Sequence, residues 1–431
     1  MRLLIKGGTV IDPANQVKQA ADLLIEQGKI KAVFPGGVGA LPPSEVLDVT
    51  GQLVVPGLID LHTHLREPGF ERKETIASGT RAAARGGFTS VASMPNTCPV
   101  ADHRAVVEFI RERARVTGAV NVFPIGAITK GSEGRELVEM ADLAAGGAVA
   151  FSDDGRPVTS AQVMRLALEY SKIVDLPIVS HCEDLDLAAE GQMHEGYWST
   201  LLGLKGIPAA AEEIMVARDL ILAEMTGSRL HLAHISSAGS VRLIREAKDR
   251  GIAVTAEVTP HHLVLTDESN LAYNPNCKVN PPLRSEADRQ ALLQGLKEGV
   301  IDIIATDHAP HTLEEKDCEY DLAPFGISGL ETALPLVWSE LVENGVLAPE
   351  ELIACLTIKP ARIFKLNKGT LTPGADADLT VIDPHREMTV EVEHFVSRGK
   401  NSPFAGRKLK GWPTATIVGG RLVMRERTLL V

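Results

Sequence analysis

The sequence contains few of the residues and patterns that mark several protein classes. Only 4% of its residues are aromatic, and its five cysteines are scattered without a Cys-x-x-Cys pair, which argues against a disulfide framework. No apolar run approaches the length of a membrane span, and the first residues lack a signal-peptide pattern. The net charge is −12 and no block of Lys or Arg occurs. We therefore expect a cytoplasmic protein with no membrane and no nucleic acid as partner.

The two ends of the chain differ from its middle in their pattern of apolar and polar residues. Residues 1–52 and 366–431 contain short apolar–polar runs separated by glycine turns, which is typical of antiparallel strands. An isolated hairpin is only marginally stable, so we predict that the two ends pair into one small β domain, a β sandwich. The chain has 431 residues, which exceeds an ordinary single core but suits a barrel of strands and helices with a second domain.

The middle of the chain, residues 53–365, repeats a strand followed by an amphipathic helix. The candidate strands are 54–61, 89–93, 120–127, 148–151, 177–180, 230–233, 253–257 and 302–305. Helical patterns follow, for example at 74–85, 101–115, 160–172, 209–225 and 240–250. Eight such units predict an α/β fold, a (β/α)8 barrel whose site lies in the loops after the strands.

A pair of histidines follows the first predicted strand. His62 and His64 are two residues apart, and side chains alternate along a strand, so both rings should lie on one face. Two imidazoles that converge in this way are a candidate metal-ligand pair. Taken alone, the pair would more often be two histidines in a polar turn, and the residues that follow in the chain change that balance.

Further polar residues follow other predicted strands. They are Asp153 and Asp154 after the fourth, His181 after the fifth, His234 after the sixth and Asp307 after the eighth. Histidines and carboxylates at one end of a barrel would hold two divalent cations, and this ligand set suits zinc. Each residue also has a structural interpretation. Either aspartate could cap a helix, His181 could lie in the core, and His231 competes with His234, with odd spacing that should turn only one into the barrel.

Four stretches of the sequence carry a family resemblance. They are residues 60–69, Asp-Leu-His-Thr-His-Leu-Arg-Glu-Pro-Gly; 93–97, Ser-Met-Pro-Asn-Thr; 279–284, Val-Asn-Pro-Pro-Leu-Arg; and 305–311, Ala-Thr-Asp-His-Ala-Pro-His. Together with the strand-end ligands, they resemble the class I, longer bacterial type of dihydroorotases in the amidohydrolase superfamily. The similarity runs nearly from end to end, including the terminal β domain.

This resemblance implies a function and a set of roles. The expected reaction is the reversible cyclisation of N-carbamoyl-L-aspartate to L-dihydroorotate plus water in pyrimidine biosynthesis, with one or two Zn²⁺ per subunit, two favoured. Asp307 is expected to be both a metal ligand and the general acid–base residue. Family members are often homodimers, and some associate with aspartate transcarbamoylase. The implied metal ligands are His62, His64, Asp154, His181, His234 and Asp307.

The fourth strand departs from a common superfamily pattern. Many relatives, hydantoinases among them, carry a carboxylated lysine there that bridges the metals. This chain has Ser152, Asp153 and Asp154 instead. The resemblance implies that Asp154 is the bridge, and strand parity agrees, since Asp154 shares the face of Ser152 while Asp153 points away.

The substrate carries a carboxylate, so a local cation should bind it. Arg66 can do so with two hydrogen bonds, although a surface salt bridge with Glu67 or Glu71 is the alternative. By resemblance, the substrate-binding residues are Arg66, Asn96, Asn280, His311, Phe325 and Gly326. The rival interpretations are another cyclic amidase, such as a dihydropyrimidinase or an allantoinase, and a non-catalytic relative that keeps the barrel.

Overall fold

The terminal segments pair into one sheet. The computed structural model describes residues 2–38 and 45–431, so Met1 and residues 39–44 of the predicted β domain lie outside the described residues. Within these described residues the sheet has nine strands: Arg2–Asp12, Val17–Glu26, Lys29–Pro35, Glu45–Asp48, Leu53–Pro56, Leu379–Asp383, Trp412–Val418, Arg421–Arg425 and Thr428–Leu429. Leu53–Pro56 joins the two ends, because it pairs in parallel with Arg2–Asp12 and antiparallel with Leu379–Asp383.

The first strand changes partners at a glycine pair. Its register shifts between Ile5 and Gly8; the residues before the shift pair with Glu45–Asp48 and those after it with Leu53–Pro56. Gly7 has φ +82°, and a Cβ atom there would lie 2.4 Å from Thr50 Oγ1. Glycine therefore permits the irregularity at which the first strand changes its pairing partner. The residues of this sheet form an apolar core of their own.

The first predicted strand, 54–61, is in fact two strands, so its prediction as one element is wrong. Leu53–Pro56 belongs to the terminal sheet, and Leu58–Thr63 belongs to the barrel. The chain turns between them at Gly57, where a Cβ atom would lie 2.0 Å from Thr89 Oγ1. The apolar run continues without interruption because both strands are buried. We therefore assign Leu53–Pro56 to the terminal sheet.

Eight parallel strands form the barrel, which confirms the predicted fold class. They are Leu58–Thr63, Phe88–Ser93, Asn121–Pro124, Phe151–Ser152, Ile178–Ser180, Leu230–Leu232, Val254–Val258 and Ile303–Ile304. Hydrogen bonds join the first three strands and the last five strands into two sheets. Single bridges between Gly126 and Phe151 and between Thr63 and His308 close the circle.

Helices surround the barrel and begin at polar caps. Side chains of Thr75, Ser160, Ser237 and Ser285 accept hydrogen bonds from the first turns of four of them. No helix in the described part of the chain is long and apolar enough to cross a bilayer. The α-helices are Ile76–Arg85, Arg104–Thr117, Met140–Gly146, Ala161–Val174, Leu185–Ala188, Tyr197–Leu202, Ala210–Thr226, Ala238–Asp249, Pro260–Val264, Glu286–Lys297, Leu313–Lys316, Ala333–Val337, Pro349–Leu356 and Ile358–Ile363.

The carboxyl end of the barrel is the end that carries long loops. Residues 259–285 follow the seventh strand, and residues 305–332 follow the eighth. Residues 384–411 of the C-terminal segment also leave the terminal sheet and reach this end. There, the Asn401 side chain donates to the carbonyl oxygens of Ala309 and Gly326 at 3.0 and 2.9 Å. The C-terminal segment therefore supports a loop of the barrel.

Candidate active site

The histidines at the end of the first barrel strand, His62 and His64, both direct their Nε2 atoms towards Asp307. The Nδ1 atom of His62 donates to Glu257 Oε1 at 2.6 Å, and that of His64 donates to Asn96 Oδ1 at 2.9 Å. Both Nε2 atoms then face Asp307, whose Oδ1 lies 3.4 Å from His62 Nε2 and 3.0 Å from His64 Nε2. The two rings therefore converge as strand alternation predicts.

Asp154 lies at the centre of the histidines. Its Oδ1 atom is 3.4 Å from His62 Nε2 and from His234 Nε2, and 3.6 Å from His181 Nδ1. Its Oδ2 atom is 3.5 Å from His64 Nε2. One carboxylate thus contacts rings that follow three different strands.

Its neighbour Asp153 points the other way. The Asp153 side chain accepts hydrogen bonds from the backbone amides of Ile128 and Thr129 at 2.8 and 3.1 Å. It also bonds the Thr129 hydroxyl. Asp153 therefore ties the third barrel strand's loop to the fourth strand and takes no part in the histidine cluster.

The fifth and sixth strands supply a second pair of rings. His181 Nδ1 lies 2.9 Å from His234 Nε2, and His181 Nε2 lies 3.2 Å from Glu183 Oε2. His234 comes two residues after its strand ends and has φ +31°. That left-handed backbone is uncommon for a residue with a side chain and is typical of functional sites.

The donor atoms fit divalent cations. The structure contains two triplets of candidate ligands, and within each triplet the ligand atoms lie within 4.8 Å of one another. The first triplet is His62, His64 and Asp154; the second is Asp154, His181 and His234, so Asp154 belongs to both. His62 Nε2 and Asp154 Oδ1 are buried and have no hydrogen-bond partner among the described residues. Buried polar atoms rarely lack partners, and imidazole with carboxylate is a set that binds such ions.

The charges within the cluster support the same interpretation. Burial alone would raise the pKa of the Asp154 carboxyl, but the charge of His62 and the nearby ring nitrogens of His181 and His234 hold that pKa well below its usual range. Burial alone would lower the pKa of His62, but Asp154, Glu257 and Asp307 raise it well above the usual value. Protons on the rings thus balance the carboxylates, and bound cations would replace those protons.

Glu257 is a part of the site that no sequence pattern indicated. It ends the seventh strand, to which we assigned no site residue. One oxygen accepts from His62 Nδ1, and the other lies 3.1 Å from His231 Nε2. Burial alone would raise its pKa, but His62 and the bond from His231 lower the pKa of Glu257 to about 2. Its charge therefore orients a metal-ligand candidate.

The expectation that only one of His231 and His234 faces the interior is wrong. His231 is fully buried on its strand and contacts Glu257 and the ring of Phe364, which belongs to the apolar core inside the barrel. The backbone amide of His234 also donates to Glu257, at 3.3 Å. Strand alternation fails here because His234 lies beyond the strand end, where the backbone has turned.

A cavity of about 190 Å³ opens onto the cluster. Five of the six residues predicted to bind substrate line it: Arg66, Asn96, Asn280, Phe325 and Gly326. The sixth, His311, is not among the described residues that line it; its Nε2 atom donates to the carbonyl oxygen of Phe325 at 2.9 Å. The lining also includes five candidate metal ligands, His64, Asp154, His181, His234 and Asp307. The cavity thus brings candidate metal ligands and predicted substrate-binding residues together.

Arg66 does not form the surface salt bridge that was its alternative role. Its Nε atom lies 3.4 Å from the carbonyl oxygen of Pro310, and within residues 2–38 and 45–431 no carboxylate forms an ion pair with it. Glu67 pairs instead with Arg113, at 2.7 Å. Burial lowers the pKa of the Arg66 guanidinium, which nevertheless stays charged. A half-buried cation at the cavity wall can bind an anion.

Two asparagines of the wall also contact the cluster. The side-chain oxygen of Asn96 accepts from His64, and the side-chain nitrogen of Asn280 donates to both oxygens of Glu183 at 3.1 and 3.2 Å. Glu183 in turn contacts His181. Each asparagine therefore links the substrate side of the cavity to a candidate metal ligand.

Known proteins resemble the chain over its whole length. Residues 51–240 match the family described as Dihydro-orotase-like. A dihydroorotase of Pelotomaculum thermopropionicum is 62% identical over 429 residues, covering 100% of both chains. A dihydroorotase of Syntrophus aciditrophicus is 54% identical over 427 residues, covering 99% of this chain and 100% of its own.

Solved structures share the architecture at lower identity. An L-hydantoinase (dihydropyrimidinase) from Arthrobacter aurescens has a TM-score of 0.90 and 27% identity, covering 100% of this chain and 97% of its own. A dihydropyrimidinase from Brevibacillus agri has a TM-score of 0.87 and 25% identity, covering 100% and 96%. The same barrel and terminal sheet therefore occur in cyclic amidases.

Proposed function

Because the chain belongs to the dihydroorotase family, we propose that it catalyses the reversible cyclisation of N-carbamoyl-L-aspartate to L-dihydroorotate plus water, a step of pyrimidine biosynthesis. One observation carries this assignment. A half-buried guanidinium without a carboxylate partner among the described residues, that of Arg66, lines the same cavity as the histidine–carboxylate cluster. The substrate needs both, since it carries a carboxylate and a cyclic amide.

We infer that the cluster binds zinc, with two ions per chain favoured over one. Four imidazoles and two carboxylates match the ligands that zinc prefers, and Asp154 belongs to both triplets of donor atoms. Asp154 would bridge the two ions, while His62 and His64 would hold one and His181 and His234 the other. When bound, the cations supply Lewis acidity, which lowers the pKa of a water molecule and polarises a carbonyl oxygen.

The chain's own residues would bind the substrate and move a proton. Arg66 would hold the substrate carboxylate through two charge-assisted hydrogen bonds. Asp307 lies 3.0 Å from His64 Nε2 at the edge of the cavity, where its carboxylate can take a proton from the attacking water. The same group would return that proton to the departing ring nitrogen. In the cyclisation direction the proton moves in reverse.

A dihydropyrimidinase-type activity is the second candidate, because the similar solved structures carry that name. Two features favour dihydroorotase. Arg66 gives the cavity a cation that a neutral ring does not need, and no lysine occurs among the described residues that line it. A non-catalytic role is disfavoured because the full set of donor residues is present.

Parallel assays of two substrates test this assignment. Zinc-loaded protein is mixed with dihydroorotate or with uncharged dihydrouracil, and ring opening is followed by absorbance. We expect a kcat/KM at least roughly 100-fold higher for dihydroorotate, because a site built for a charged group rejects an analogue that lacks it. Equal rates, or a preference for dihydrouracil, would assign the chain to the second candidate.

Assembly with other chains is a prediction from the family resemblance. We propose a homodimer, with association with aspartate transcarbamoylase as a further prediction. Light scattering on the chain alone, and after mixing with that enzyme, measures both. A mass equal to that of one chain, unchanged by the mixture, contradicts both predictions.

A further inference from the structure

Two segments contribute predicted substrate-binding residues to the cavity wall. The first passes through the short helix Pro275–Cys277 and ends in the wall at Asn280. The second begins with the helix Leu313–Lys316 and enters the wall at Phe325 and Gly326. Each segment contains one buried lysine, Lys278 in the first and Lys316 in the second.

Lys278 reaches from the first segment to the second. Its Nζ atom donates to the carbonyl oxygens of Tyr320 and Asp321, both at 2.9 Å. The same atom lies 4.8 Å from the centre of the Phe325 ring, a cation–π distance. Lys278 is only 2% exposed, although lysine is among the residues least often buried.

Lys316 reaches in the opposite direction. Its Nζ atom donates to the carbonyl oxygen of Pro275 at 2.9 Å and to that of Pro324 at 2.7 Å. The two lysines are therefore reciprocal, because each is carried by one segment and bonds the backbone of the other. Lys316 also fixes the residue directly before Phe325.

Among residues 2–38 and 45–431, no carboxylate lies within 4.0 Å of the Nζ atom of Lys278 or Lys316, so neither forms an ion pair there. Backbone carbonyls are the partners of both, and aromatic rings add to those of Lys278. Burial lowers the pKa of Lys278 to about 8 and, with the charge of Lys278, lowers that of Lys316 to about 7. Burial of two lysines without a carboxylate partner is costly, so their contacts must supply something that apolar packing would not.

Three consecutive backbone carbonyls of the second segment, those of residues 324–326, each accept a hydrogen bond from a side chain. Lys316 bonds the carbonyl of Pro324, His311 bonds that of Phe325, and Asn401 bonds that of Gly326. The amide of Gly326 donates to the carbonyl of Lys278 at 2.9 Å. This stretch lacks regular secondary structure, so these side-chain bonds substitute for a strand or helix in setting its position.

We propose that Lys278 and Lys316 are positioning residues, which cross-link the two segments and place Asn280, Phe325 and Gly326 against the substrate ring. The proposal rests on the proposed function, since it takes that cavity as the substrate site. Neither lysine touches the reacting atoms. Their loss should therefore weaken substrate binding more than it slows the chemical step.

Methionine variants test this role, since methionine has a similar length and cannot donate. Lys278→Met and Lys316→Met are expected to raise KM for dihydroorotate roughly 10- to 100-fold, with a smaller change in kcat and an unchanged zinc content. Lys368→Met is the matched control. Lys368 is also largely buried, but it pairs with Asp376 and Asp378 at the terminal sheet, so KM should not change. A KM that stays within about 2-fold of wild type in both lysine variants overturns the proposal.

Hydrogen exchange on the wild-type protein tests the proposal without any variant. A peptide covering residues 323–326, in which the amides of Ala323 and Gly326 donate to backbone carbonyls, should exchange equally slowly with and without dihydroorotate. Fast exchange in the free protein that slows only with substrate would mean that the substrate, and not the lysines, orders the segment. Inactivity of the wild type towards dihydroorotate would contradict the proposed function, whereas the exchange result concerns the lysines alone.

Discussion

The Nδ1 atom of His62 lies 2.6 Å from Oε1 of Glu257, and this contact joins the first barrel strand to the seventh. It fixes the His62 ring so that Nε2 faces Asp154 and Asp307, at 3.4 Å from each. A carboxylate behind a metal-binding imidazole sets the tautomer and raises the basicity of the ring. Glu257 should therefore control metal affinity without touching the metal.

The first prediction concerns this carboxylate. Glu257→Gln keeps the shape but removes the charge, so zinc affinity should fall roughly 10- to 100-fold. Competition with a chromogenic chelator measures the change. Asp22→Asn is the control, because Asp22 is equally buried but accepts backbone amides in the terminal sheet. An unchanged affinity in Glu257→Gln contradicts the role.

The second prediction concerns the proton-transfer residue. Asp307→Asn should lower kcat roughly 10²- to 10⁴-fold, because an amide cannot take up and return the proton, while substrate still binds. Loss of a metal ligand would add to the effect, so zinc content is measured alongside stopped-flow rates. A kcat within a few-fold of wild type at full zinc content would assign the proton transfer to another group.

The third prediction concerns substrate charge. Arg66→Ala should weaken dihydroorotate binding roughly 10- to 100-fold, because the substrate carboxylate loses a charge-assisted pair. Hydrolysis of uncharged dihydrouracil, where detectable, should change much less. Steady-state kinetics on both substrates give the comparison. Equal losses would show that Arg66 has a structural role.

The fourth prediction separates the two adjacent aspartates. Asp154→Ala should lose zinc and activity, because Asp154 contacts all four histidines of the cluster. Asp153→Ala should be milder and act mainly on stability, since Asp153 bonds Ile128 and Thr129. Metal analysis and thermal unfolding of both variants decide between them. Reversed severities would contradict the assignment.

The fifth prediction follows from the absence of lysine in the wall. A carboxylated lysine forms from CO₂, whereas the Asp154 carboxylate needs no modification. Metal-free protein should therefore regain full activity with zinc alone in CO₂-depleted buffer. Reconstitution with and without added bicarbonate is the measurement, and recovery that depends on bicarbonate would reveal a modified lysine.

Regular strands made most of the site predictable from sequence. His62 lies in the continuous strand Leu58–Thr63 and His64 directly follows it, so alternation placed both rings on one face. The same rule failed for His231 and His234, because the backbone turns after Leu232. Strand alternation also could not reveal that the chain leaves one strand and enters another at Gly57, because both adjoining strands are buried and apolar.

Contacts between distant parts of the chain were beyond sequence reasoning. Glu257 is 195 residues from His62, and Asn401 is 75 residues from Gly326. No local spacing connects such pairs, because the barrel closure and the C-terminal excursion bring them together. The role of His311 in substrate binding stays a prediction, but no spacing indicated its contact with the backbone carbonyl of Phe325. Only the folded backbone could give these roles.

The proposed two-zinc dihydroorotase site is tested by titrating metal-free protein with zinc and assaying dihydroorotate ring opening at each point. We predict no activity without metal and a rise that ends near two zinc ions per chain, one for each triplet that shares Asp154. Full activity in chelator-treated protein free of metal, or no dihydroorotate turnover at zinc saturation, would contradict it.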